Sequence, residues 1–139
     1  MGNSQSIKNI NFEDMQFAIK NPDIYLIINT LIESEQNCLI TNTIIAKNEE
    51  LIVNKYMNTN KSIQIIIYGK NCNDETINKK YQQLISLGFY NIYVYLGGMF
   101  EWLMLQDIYG KDLFPTTHKE LDLLKYKPTK SLHIGLLEY

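Results

Sequence analysis

Residues 61–102 constrain the fold of this chain more than any other stretch. They read as strand, short polar loop, helix, strand, Gly-Gly, helix. Ser62-Ile63-Gln64-Ile65-Ile66-Ile67-Tyr68 is a β-branched run suited to a buried strand. The polar loop Gly69-Lys70-Asn71-Cys72-Asn73-Asp74-Glu75 follows. A helix over about 74–87, capped by Asn73, places Ile77, Tyr81, Leu84 and Ile85 on one face, and Gly88 stops it. Asn91-Ile92-Tyr93-Val94-Tyr95-Leu96 forms the next strand, and Gly97-Gly98-Met99-Phe100-Glu101-Trp102 opens another helix. In open α/β proteins, a loop at the carboxyl end of a parallel strand, feeding a helix N-terminus, is where anions bind and chemistry occurs. Gly69, Lys70, Asn71, Cys72, Asn73, Asp74 and Glu75 are therefore the candidate anion-binding loop.

The rest of the chain supplies a consistent frame. Residues 1–9 read as flexible. Asn11 caps a helix over about 12–20, with Asp14 at its third position and Met15, Ala18 and Ile19 inward; Asn21-Pro22-Asp23 ends it. Residues 24–29 form a central strand, 30–37 a polar loop and 39–45 a short strand toward the sheet edge. Residues 47–57 are helical, with Leu51 and Tyr56 inward. The helix over 99–109 is rich in large apolar groups; Trp102 is read as covering one edge of the sheet, and Gly110 closes the helix. Thr117 and Glu120 match a capping box for a last helix over 118–126, ended by Lys127-Pro128. Leu132, Ile134, Leu136 and Leu137 of the tail pad the core or form an oligomer contact.

This order and these residues resemble the rhodanese-like domain family over roughly residues 10–110. The likeness is carried by Ile65-Ile66-Ile67-Tyr68, by Leu84 to Gly88, and by the strand and Gly-Gly-Met-Phe-Glu-Trp block ending at Trp102. Leu26-Ile27-Ile28-Asn29 and Cys38-Leu39-Ile40-Thr41-Asn42-Thr43-Ile44 occupy the places of the family's upstream motifs. The resemblance implies a rhodanese-like α/β fold: a central, mostly parallel five-stranded sheet with helices on both faces. The domain spans 10–110, and 111–139 pack on it as a C-terminal helix and tail. In the family the nucleophilic Cys directly follows the strand's Tyr. Here that position is Gly69, and Cys72 lies three residues on. The family's upstream Asp, Arg and His fall on Asn29, Leu31 and Leu39. No Arg occurs anywhere in the chain. The fold signature is kept, while the usual catalytic constellation is not.

The chemistry that such a loop supports depends on a thiolate. Loop N–H groups and the helix end lower a Cys pKa and hold an anionic persulfide. Cys72 lies close enough to the helix start to act as a displaced nucleophile, with Lys70 adding positive charge. Asp74 and Glu75 compete with a bound anion there. The alternative for Cys72 is an inert loop thiol. Cys38 reads as a packed residue, and a Cys38–Cys72 redox pair depends on proximity. Two Cys with the distant His118 and His133 have no metal-ligand spacing, so no metal and no other cofactor is expected. Both His read as surface residues. A Cys-based phosphatase lacks its Arg and its Cys at the loop start. A serine hydrolase lacks its Gly-x-Ser-x-Gly turn, and nucleotide hydrolysis lacks its Gly-Lys-Ser/Thr motif.

At 139 residues with a net charge of -2, the chain suits one α/β domain and offers no bulk attraction for nucleic acid. It carries no long apolar run and no hydrophobic leader, so a cytoplasmic location with reduced thiols is expected. Met1-Gly2-Asn3-Ser4-Gln5-Ser6 fits the N-myristoylation pattern at Gly2. One acyl chain gives only weak, reversible membrane association. The sequence thus points to a rhodanese-like protein without sulfurtransferase activity, acting as a binding or regulatory module for a protein partner it does not identify. The rival is a sulfurtransferase or thiol redox enzyme using Cys72.

Overall fold

The structure is a computed structural model that describes residues 7–132. Five parallel strands form one sheet in the order β1-β5-β4-β2-β3. They are β1 (Lys8–Ile10), β2 (Tyr25–Asn29), β3 (Thr43–Ile44), β4 (Gln64–Tyr68) and β5 (Ile92–Tyr95). Four α-helices cover it: α1 (Phe12–Ile19), α2 (Ala46–Thr59), α3 (Thr76–Ser86) and α4 (Gly98–Tyr109). The central strands β4 and β2 pair over their whole length, from Tyr25 opposite Gln64 to Asn29 opposite Tyr68. Side chains on successive strand residues point to opposite faces. Ile27, Ile66, Tyr68 and Tyr95 therefore pack with Met15 and Ala18 of α1 and Met99, Trp102 and Leu103 of α4. On the other face, Ile28, Ile65, Ile67 and Val94 pack with Val53 of α2 and Ile77, Tyr81 and Leu84 of α3. Each fully buried large side chain contributes about 1.5–3 kcal/mol from lost apolar surface.

The capping of α1 follows its sequence. Asn11 Oδ1 accepts the Asp14 N–H at 3.0 Å, and Asp14 Oδ2 accepts the Asn11 N–H at 3.1 Å. Elsewhere the structure departs from the local reading in six places. Lys8, Asn9 and Ile10, in and beside the stretch read as flexible, form β1 along the free edge of β5. The strand read over 39–45 shrinks to Thr43–Ile44, because Asn42 takes φ 70 and Cys38, Leu39 and Ile40 become a buried loop. Leu51 is 76 % exposed; it lies two residues from the buried Val53, on the opposite side of α2. Asn73 does not cap α3, and Asp74 Oδ1 accepts the Thr76 N–H at 3.0 Å instead.

The fifth departure is the last helix, which is only a 3₁₀ turn, Leu123–Tyr126. Its expected capping residues are engaged elsewhere. Thr117 exchanges hydrogen bonds with the Leu39 backbone, its hydroxyl accepting at 3.1 Å and its N–H donating at 2.8 Å. Glu120 instead holds Lys125 and the Asp122 N–H. Residues 114–126 thus form a strap over the 38–40 loop, with Ile40 bridging to Thr116. Trp102 is buried beneath this strap rather than at a sheet edge. Its ring meets Tyr95 and Phe114 edge-on, and its Nε1–H donates to the Pro115 carbonyl at 3.1 Å. Leu132 is 85 % exposed, and His133, Ile134, Leu136 and Leu137 lie outside the described residues, as does Gly2. No described helix is long and apolar enough to cross a membrane.

Several acids are held protonated inside this core. Burial pushes the Tyr68, Tyr95 and Tyr126 hydroxyls and the Cys38 thiol above their ordinary values. The Glu101 carboxylate adds to the effect at Tyr95, and nearby negative groups add to it at Tyr126. The unfolded chain releases these protons first as pH rises, so the native state is penalised only on the alkaline side. Stability should be constant in this respect below about pH 8.5 and fall above it, most steeply beyond about pH 10. Thermal melts across that range test this; an unchanged midpoint up to about pH 11 would contradict it.

Candidate functional site

The site begins where β4 ends. Tyr68 is buried, and its hydroxyl accepts the Ile40 N–H at 3.1 Å and lies 2.9 Å from the Thr43 hydroxyl. Its carbonyl accepts the Thr30 N–H at 3.0 Å, which ties the exit of β2 to the exit of β4. Loop 69–75 then leaves the sheet at its carboxyl edge and leads into α3.

Helix α4 docks directly on this loop. The Met99 N–H donates to the Gly69 carbonyl at 2.9 Å and the Phe100 N–H to the Lys70 carbonyl at 2.8 Å. These are among the N–H groups a helix leaves without internal partners. Gly98 permits the approach. Its φ is +67°, and a Cβ there would lie 2.7 Å from the Gly69 carbonyl oxygen and 2.9 Å from the Asn71 nitrogen. The second glycine of the Gly-Gly pair is thus a docking requirement.

Gly69 occupies the strand-tip position that the resemblance aligns with the nucleophile. It is buried, and the space a side chain would use is filled. A Cβ at Gly69 would sit 2.3 Å from Asp74 Oδ2 and 2.7 Å from the Thr30 hydroxyl oxygen. Asp74 turns back across the loop to reach this place. Its Oδ2 accepts the Lys70 N–H at 2.8 Å. Its Oδ1 accepts the Thr76 N–H at 3.0 Å and the Thr76 hydroxyl at 2.6 Å. The Thr30 and Thr76 hydroxyls are 2.7 Å apart. Asn71 stitches the loop from the other side. Its Oδ1 accepts the Asn73 N–H at 2.9 Å, and its buried amide donates to the Tyr126 carbonyl at 2.8 Å.

The two thiols have opposite surroundings. Cys72 is exposed, its Sγ 3.8 Å from Asn73 Oδ1. Cys38 is buried under the strap, donating to the His118 carbonyl at 3.2 Å. The His118 side chain is exposed, as a surface reading requires. Among the described residues no three His, Cys, Asp or Glu side chains gather as a metal site. Lys70 Nζ lies 3.5 Å from an oxygen of the buried Glu35. The other Glu35 oxygen and the Tyr126 hydroxyl are buried without hydrogen-bond partners.

Neutral groups stand at the upstream positions where the resemblance has an Asp and an Arg. Asn29 forms a reciprocal amide pair with Gln36, at 2.7 and 3.2 Å, and its Oδ1 accepts the Leu31 N–H at 2.9 Å. Leu31 is buried in the core. Sequence reasoning did not find the return of Asp74, the Asn29–Gln36 pair or the Asn71–Tyr126 link. Only the first left a local trace: Asp74-Glu75-Thr76 is an Asp-x-Thr step, which favours an Asp side chain accepting from a backbone N–H two residues on.

An all-parallel open sheet, with its distinctive loop at the carboxyl end of a central strand and a helix docked on that loop, defines a small single-core α/β domain. Its family is settled by sequence: the Rhodanese-like domain profile matches residues 29–105. The chain therefore belongs to the rhodanese-like domain family. Solved structures agree on the fold. The Alr3790 protein of Anabaena sp. is 21 % identical with a TM-score of 0.57, over 82 % of this chain and 83 % of that one. BH2092 of Bacillus halodurans is 18 % identical with a TM-score of 0.57, over 74 % of each chain. The single-domain sulfurtransferase RDL2 of Saccharomyces cerevisiae is 18 % identical with a TM-score of 0.56, over 82 % of this chain and all of that one. No curated protein matches the chain.

The docking geometry makes a quantitative claim about Gly98. Gly98→Ala adds a left-handed conformation penalty of about 1–2 kcal/mol and an overlap with loop backbone that cannot be relieved by a rotamer change. A loss of about 3 kcal/mol or more is expected in denaturant unfolding. Gly110→Ala, with φ +103° but nothing within 4 Å of its Cβ, should cost clearly less.

Proposed function

We propose that this chain is a rhodanese-like protein without sulfurtransferase activity, serving as a binding or regulatory module that myristate on Gly2 brings to membranes. The observation that carries the first part is Gly69. Sulfur transfer needs a thiolate inside the loop. It attacks the sulfane sulfur of a donor such as thiosulfate, the S–S bond breaks, and sulfite leaves. The enzyme persulfide then gives the sulfur to an acceptor such as cyanide, regenerating the thiolate and forming thiocyanate. At Gly69 there is no side chain to do this, and the room for one holds Asp74 and Thr30. Catalysis of this kind depends on placement to within about an ångström, and Cys72 is an exposed residue three positions beyond Gly69.

The rival reading keeps Cys72 as nucleophile. It draws on that residue's exposure and on the fold shared with a protein described as a single-domain sulfurtransferase. Incubating the protein with thiosulfate and cyanide separates the two. No thiocyanate above the protein-free rate is expected, and no gain of one sulfur in the mass of the Cys72 peptide. Turnover abolished by Cys72→Ser would establish the rival.

The membrane part rests on the motif at residues 2–6. A single myristoyl chain supports binding of only about 10⁴ M⁻¹, so a tether of this type works together with a partner. Co-expression with an N-myristoyltransferase should give an acylated N-terminal peptide by mass spectrometry and weak co-flotation with vesicles. Gly2→Ala should remove both. An unmodified Gly2 would eliminate the tether.

A further inference from the structure

We propose that Asp74 is a built-in ligand of the 69–75 loop, holding the place of an anion and closing the loop to anions from solution. The inference rests on reading residues 69–75 as the family's anion-binding loop, and it adds the residue that sets what the loop accepts. Three observations converge on it. Asp74 Oδ2 lies 2.3 Å from where a Cβ on Gly69 would be, so the carboxylate reaches the strand-tip position itself. It takes the Lys70 N–H at 2.8 Å, and that amide is then spent on an internal acceptor. Its other oxygen is held by the Thr76 N–H and hydroxyl at 3.0 and 2.6 Å, so the carboxylate is fixed from both ends.

The nearest cations of the loop and of the adjoining cavity are Lys70, Lys79 and Lys80, and Lys80 is held by Glu49. Lys70, the one cationic side chain of the loop, is drawn to Glu35. Glu75 adds a second carboxylate at the start of α3. An incoming sulfate or phosphate meets a fixed like charge at contact distance and has to displace three hydrogen bonds. A neutral loop lining would present the same amides unoccupied. Asp74 therefore acts as an intramolecular competitor that a free anion has to displace.

The test is an anion titration of the full chain, using inorganic sulfate and thiosulfate as probes and the backbone amide shifts of Lys70 and Thr76 as readout. Wild type is expected to show no saturable shift at concentrations that saturate Asp74→Ala, a difference of at least tenfold in apparent Kd. Asp74→Asn keeps the shape and removes the charge, and should fall between the two. It also serves as the informative variant if Asp74→Ala does not fold. Saturable binding by wild type as tight as by the variants would overturn the proposal, as would folded variants that gain nothing. The result is separable from the catalytic question. Wild type without thiocyanate production still leaves the Asp74 variants free to gain or not gain anion binding, and sulfate, which carries no sulfane sulfur, reads that binding at Lys70 and Thr76 even if Cys72 turns over thiosulfate.

Discussion

The docking of α4 on the loop after β4 is the contact on which the rest of the site depends. The carbonyls of Gly69 and Lys70 take N–H groups that α4 would otherwise leave unpaired. The loop and the helix thus fix each other, and the absence of a side chain at Gly98 is the condition for both. The Lys70 amide lies beside Gly69, where Asp74 Oδ2 accepts it. The space beside Gly69 is the feature any anion or nucleophile would use, and its shape follows from a contact made outside it.

Gly69 and Asp74 are one packing solution. With no side chain at Gly69, a hole opens at the tip of β4 next to a free amide, and a buried unpaired N–H is costly. Asp74 fills the hole and satisfies the amide with the same oxygen. A larger residue at Gly69 would have to push Asp74 off its three hydrogen bonds and Thr30 off its seat. The neighbouring positions are consistent. An amide pair and a buried leucine stand where an ion pair would need a counter-charge, so the site is neutralised as a unit. The strand-tip position is repacked here within an intact frame.

How much of this was legible depends on whether the signal was local. The β-branched runs of β2, β4 and β5 need only their own residues to be read, and their observed bounds fall within one or two positions of the expected ones. The capping box of α1 is local too. β1 is three residues long, too short for any periodicity, and exists because β5 offered a free edge. Thr117 and Glu120 matched a capping pattern, but Leu39 and Lys125 claimed them, so tertiary partners overrode a local preference. In the site, the vacancy at Gly69 was readable because it is a position in the resemblance. The return of Asp74 was not, because it requires knowing that the vacancy lies within reach of a side chain five residues later.

The strap over residues 114–126 lies beyond the stretch matched by the family profile, yet it bears directly on the loop. Tyr126 accepts the buried Asn71 amide, Pro115 accepts the Trp102 indole, and Thr117 pairs with Leu39. The loop is thereby held by α4 on one side, by its own Asp74 and Asn71 within, and by the strap on another. A catalytic loop has to admit a substrate and release a product, which favours some freedom. A surface that recognises a partner gains affinity from being fixed beforehand, because less ordering entropy is lost on binding. The three-sided restraint leaves the loop little of that freedom and much of that pre-ordering. The loop residues left exposed under this restraint are Cys72, Asn73 and Glu75.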